Sequence, residues 1–183
     1  MELDNVLEQK ANIFDHILYE FEMYIATYME LFQSVKQLNT IEINVLLESH
    51  AIHLRNLIEF FNNEKDCITT NTIFKNEHDF RFDDSNLKAK QAINKSIGHL
   101  TKERYKWNRT VNDLTLKLDQ IIKKMFRCYI VNRVRKCVDM LINTEDIREI
   151  FLESLNDIEI KNRLNKLSNY IAYICENTNE VIL

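Results

Sequence analysis

The chain contains no proline and a single glycine, Gly98, among its 183 residues. A glycine kept where every other has been excluded marks a backbone that packs closely or approaches something closely. It stands directly before His99 in the stretch QAINKSIGHLTKERYKW, Gln91 to Trp107. Long apolar runs are missing too. None approaches the roughly 20 residues of a membrane-spanning helix, so no membrane association is expected. The N-terminal MELDNVLEQK lacks a basic head followed by an apolar block; it does not read as a secretory signal, and a cytoplasmic location is expected. Cysteine is sparse. Cys67, Cys128, Cys137 and Cys175 show no CxxC spacing and read as reduced core thiols, and no cofactor is called for.

What is present is the composition of a globular protein, 45% apolar and 28% charged. A chain of this length buries about 70% of its unfolded surface, which supports one core without metals or disulfides, so residues 1–183 are expected to form one domain. The formal net charge of −4 conceals a strong asymmetry along the chain. Residues 1–62 balance at −7, residues 63–85 at −3 and residues 137–183 at −5, whereas residues 86–136 carry fourteen Lys/Arg against Glu103, Asp113 and Asp119, a balance of +11. Such a block either packs its basic helices beside acidic ones or forms a polyanion-binding face, with RNA the obvious polyanion.

Apolar periodicity places the helices. Leu7, Phe14, Ile17, Phe21, Tyr24, Tyr28, Leu31, Val35 and Leu38 fall on alternating steps of three and four, broken only by Lys10. This predicts a first helix from about Asn5 to Leu38 that packs nearly parallel or antiparallel to a neighbour. Asn39 with Glu42 forms a capping box for a second helix over 41–62, whose inward face holds Ile43, Leu46, Leu47, His50, Leu54, Leu57, Ile58 and Phe61. His50 and His53 lie one turn apart and Arg55 pairs with Glu59 at i, i+4. The two histidines are either half of a metal site completed by His99 or His78, or hydrogen-bonded members of a polar seam.

From Asn63 to Ser85 the helical period stops. A long connection is expected there, anchored by Ile73, Phe74, Phe80 and Phe82. A third helix follows to about Tyr105, with Lys95, His99 and Lys102 or Glu103 on one face. Thr110 and Asp113 cap a long fourth helix to about Asn143 that is expected to pack against the first. Its outer face, Lys117, Lys123, Lys124, Arg127, Arg133, Arg135 and Lys136, is the densest basic stripe, with the first five the candidate nucleic-acid surface. Asn143 with Asp146 starts a helix over 147–155, and Asp157 starts the last, with Ile160, Leu164, Leu167, Tyr170, Ile171 and Ile174 inward; the tail from Glu176 is expected to fray. The fold class is therefore an all-α, up-and-down bundle of five to six helices with two long ones.

INKSIGHLT resembles the signature of HEPN-type helical domains, in which an arginine followed by a polar residue precedes a histidine near a helix start. The resemblance spans about residues 41–142. It implies a homodimer whose paired Arg and His residues cleave RNA without metal, as in toxin and host-defence ribonucleases. His99 matches the histidine and Asn94 the polar position, while the arginine position falls on Ile93. Lys95, or an arginine such as Arg55 or Arg104, then has to supply the cation, or the chain is a non-catalytic RNA-binding or assembly relative. Three functions stay open at this point: an HEPN-like RNA-binding protein or ribonuclease, a metal-binding bundle using His50, His53 and His99, and an assembly module.

Overall fold

The computed structural model describes residues 2–34, 37–65, 67–76, 78, 80, 129–144 and 146–178. Six helices run through them: α1 (Glu2–Ser34), α2 (Thr40–Phe61), the single turn α3 (Thr70–Ile73), α4 (Tyr129–Asn143), α5 (Glu149–Leu155) and α6 (Ile158–Thr178). Among the described residues the one extended pairing is an isolated antiparallel bridge from Phe74 to Ile147. The all-α class holds, and the buried apolar side chains join in one cluster.

α1 is the helix around which the others assemble, and its sequence explains why. The expected seam residues Phe14, Ile17, Phe21, Tyr24, Tyr28 and Leu31 are all buried, and Leu18 and Ile25 join them, widening a coiled-coil stripe into a face that serves more than one neighbour. Toward α2, Phe21 meets Phe60 edge-on at 6.0 Å and stacks near Phe61 at 6.3 Å. Toward α5, Phe14 meets Phe151 at 5.3 Å with perpendicular rings. α6 packs along α1 as well and also against α4.

The turn between α1 and α2 follows from Asn39. Its side-chain oxygen accepts from the backbone N–H groups of Ile41 (2.9 Å) and Glu42 (3.1 Å), and Glu42 accepts in return from the Asn39 N–H (2.8 Å). Such a cap contributes about 1 kcal/mol and requires the extended backbone that Asn39 adopts, φ −78° and ψ 168°. Gln37 and Leu38 accordingly lie in the turn, outside the helix expected to reach Leu38. At the other end of α2 the chain turns at Asn63, φ 56°. With glycine unavailable, asparagine takes the left-handed position. Its side chain then accepts from the Thr70 hydroxyl (2.9 Å) and the Asn71 N–H (3.0 Å), which ties α3 back to α2.

Three further expectations change. The long fourth helix was expected against the first, but its described part, α4, packs chiefly on α6, because α1 already commits its wide face to α2, α5 and α6. The fifth helix begins at Glu149 rather than Ile147: Ile147 is in the bridge to Phe74, and the Asp146 side chain faces the strap rather than the helix start. Tyr170 was expected inward and is 46% exposed, whereas Ile160, Leu164, Leu167, Ile171 and Ile174 are buried as expected. Asp157 does cap α6, its carboxylate accepting from Glu159 (2.7 Å) and Ile160 (3.3 Å).

Candidate functional site

The predicted catalytic residues His99, Asn94, Lys95 and Arg104 lie outside the described residues, as do Lys117, Lys123, Lys124 and Arg127 of the predicted RNA surface. Arg133 is within them, on α4, where the basic block ends. The sequence of that helix, YIVNRVRKCVDMLIN, divides by the 3.6-residue period into two faces. Ile130, Val131, Val134, Cys137, Val138 and Leu141 are buried, while Asn132, Arg135, Lys136 and Asp139 are exposed and Arg133 is half-buried. Arg135 approaches Asp139 one turn on at 3.9 Å, a surface pair of little energetic weight.

The other two cations meet the strap that connects α2 to the basic block. Phe80 is fully buried, stacked on Phe61 (5.6 Å) and Phe74 (5.9 Å). The Arg133 Nε–H donates to its carbonyl oxygen at 2.8 Å, and the Lys136 ammonium lies 4.9 Å from the centre of its ring. The connection is thus anchored at Ile73, Phe74 and Phe80 as expected, Phe82 lying outside the described residues, and Phe80 is clamped to the helix that carries the end of the basic block.

Asp146 holds the strap from the opposite side. It occupies a left-handed conformation, φ 62°. Its carboxylate accepts from the Asn76 backbone N–H (3.1 Å), from the Asn76 amide and from His78 Nε2, and its carbonyl accepts from the Lys75 N–H (2.7 Å). Partial burial works against the charged carboxylate, but the hydrogen bonds from His78 and Asn76 outweigh it and hold the group below its ordinary value. Sequence reading took Asp146 for a helix cap. The signal that it did something else, its pairing with a histidine 68 positions away, is invisible along the chain.

The histidines of α2 form a polar seam against α1. His50 Nδ1 lies 2.9 Å from the Thr27 hydroxyl, and that hydroxyl lies 2.7 Å from the Met23 carbonyl. With the Thr27 proton donated to Met23, the neutral His50 ring donates its Nδ1–H to Thr27. The ring packs 4.7 Å from Tyr24. Burial, reinforced by the nearby His53, lowers the His50 pKa to about 3, against a smaller opposing effect from a hydrogen bond to the Tyr24 backbone. His53 Nδ1 meets Glu20 at 2.8 Å, with both side chains buried. Residues 27 and 20 pair with 50 and 53 in reverse order, the mark of the antiparallel hairpin expected of α1 and α2.

The metal reading finds no site here. Among the described residues no group of three or more His, Cys, Asp and Glu is placed to hold an ion. His50 and His53 each turn Nδ1 to a partner on α1, and His78 is bound to Asp146. Arg55, one candidate for the missing cation, lies 3.5 Å from Glu59 as its spacing predicted. Cys67, expected in the core, is exposed; Cys137 is buried, Cys175 is half-buried, and all three are free thiols. Cys128 lies outside the described residues. No helix among the described residues is long and apolar enough to cross a membrane. Comparison with known protein families, with curated proteins and with solved structures gives no match to the chain.

Proposed function

We propose that the chain is an HEPN-like helical protein that binds RNA through its basic segment, residues 86–136, and works as a homodimer with His99 at the cleft. The observation that carries the RNA reading is the disposition of α4. It turns its valines and Cys137 to the core and leaves Arg135 and Lys136 at the surface, which suits cations to phosphate contact rather than to burial against an acidic helix. Twelve further positive charges belong to the same 86–136 block. Their contribution is the counterion release that dominates backbone recognition of nucleic acids.

In this reading His99 is the general base of the HEPN motif, with Asn94 at its polar position. Ile93 stands where the motif has arginine, so cleavage depends on Lys95 or Arg104 for the cation, and without that help the chain is an RNA-binding relative that does not cleave. The test is a pair of variants assayed in chelator. Lys123→Glu with Lys124→Glu weakens RNA binding and reduces the magnitude of its log–log salt slope by about 1.4; an unchanged affinity and slope refutes the basic face. His99→Ala abolishes any cleavage while leaving binding intact, and cleavage that survives this change removes His99 from the chemistry.

Assembly is favoured by a separate observation. Ile41, Val45 and Ile52 share one face of α2 and are 75%, 60% and 47% exposed, an unusual stripe for a surface helix. Sedimentation of Val45→Glu tests it: if that face joins two copies, the variant is monomeric at concentrations where the parent protein is not.

A further inference from the structure

α1 and α6 cross beside the core with the same spacing on both sides. Glu22, Ile25, Ala26 and Met29 on α1 and Arg163, Lys166, Leu167 and Tyr170 on α6 each follow i, i+3, i+4, i+7, and together they line a cleft of about 490 Å³. Ile25 and Leu167 are buried and form its floor. One end is fixed by a guanidinium clamp. Arg163 donates two hydrogen bonds to Glu22 (2.8 and 2.9 Å) and one to Asp15 (2.7 Å), a fork geometry that leaves its charge balanced by two carboxylates. The opposite end is formed by Tyr170, 46% exposed, with the Lys166 ammonium 5.8 Å from its ring centre. Among the described residues Lys166 makes no ion pair, so it is the cation of the cleft left for an outside anion.

We infer that this cleft binds a small aromatic anion, its rings laid along Ile25, Met29 and Leu167 against Tyr170 and its charge at Lys166. Three features favour that class. The volume lies in the roughly 300–1,000 Å³ range of small-molecule sites. The walls offer apolar and aromatic surface, with polar groups confined to the rim. The rim offers one uncommitted positive charge, because the Arg163 clamp fills the other position with an internal salt bridge. The site is independent of the basic segment and of the RNA reading.

The test uses 1-anilinonaphthalene-8-sulfonate as the probe, with N-phenyl-1-naphthylamine as its uncharged counterpart. Fluorescence titration of the full chain is expected to saturate at one site. The uncharged compound should bind about tenfold more weakly, Lys166→Glu should raise the Kd of the sulfonate by about tenfold, and Lys166→Arg should leave it within about twofold, one charge contact being worth about that ratio. Ala26→Trp fills the cleft from its exposed rim and should also abolish binding; both Ala26 and Lys166 are exposed, so circular dichroism should be unchanged in every variant. Absence of saturable binding, equal affinity for the charged and uncharged probes, or a Kd indifferent to Lys166→Glu and Ala26→Trp would overturn the inference.

Discussion

Acidification should weaken this protein well before its carboxylates titrate, and His50 is the reason. Its ring lies between α1 and α2, hydrogen-bonded to Thr27 and packed on Tyr24, with Tyr28 further off and His53 nearby. Burial, then His53, lowers its pKa to about 3 from an ordinary 6.5. The unfolded chain therefore binds a proton below pH 6.5 that the folded chain refuses, and the stability due to neutral His50 is complete above that value and lost progressively as the pH falls toward 3. By linkage the loss between pH 7 and pH 5 is about 2 kcal/mol. His50→Gln retains an amide to meet Thr27 and removes the titration. Urea denaturation followed at 222 nm, at pH 7, 6 and 5, should show the variant less stable at pH 7 by roughly 2 kcal/mol but falling less steeply, the difference between the two proteins closing by about 2 kcal/mol at pH 5. Parallel curves for parent and variant would refute the assignment of a buried, neutral His50.

The strap supplies further expectations. Phe80→Ala should lower stability by about 3 kcal/mol in the same urea assay, since the side chain is fully buried between two stacked phenylalanines; a loss under about 1 kcal/mol would mean that the strap is not part of the core. Asp146→Gly keeps the left-handed backbone but removes the acceptors for Asn76 and His78, so limited proteolysis should cut within 74–80 faster than in the parent, and equal rates would show that the carboxylate does not hold the strap. Thiol labelling read by mass spectrometry should modify exposed Cys67 first and spare Cys137, whose thiol pKa burial pushes up. Labelling of Cys137 at the rate of Cys67 in native protein would contradict its burial.

Among the described residues the positions of α1, α2 and α6 were legible in the sequence because local chemistry sets them. The Asn39–Glu42 box, the α1 seam and the Arg55–Glu59 pair are all interactions within a few residues, and each forms as its spacing predicts. Partnership between helices was less legible. The three-four period of α4 says that it is amphipathic but not whether α1 or α6 covers it, and Tyr170 follows the inward period of α6 yet lines an open cleft. The histidine pair was the most ambiguous feature. Its spacing suits a metal site and a polar seam equally, and Thr27 and Glu20, 23 and 33 residues away, decide for the seam. Arg163 gave no local signal either, because its carboxylate partners lie more than a hundred residues upstream.

The most direct test of the RNA reading is a titration of the full chain with single-stranded RNA across a range of salt. A face that neutralises about four phosphates gives a log–log slope of about −3, so that raising salt from about 50 to about 200 mM weakens binding roughly 60-fold. That steep dependence is the predicted result. Binding that is absent at the lowest salt, or that barely changes across the range, would contradict a nucleic-acid role for residues 86–136.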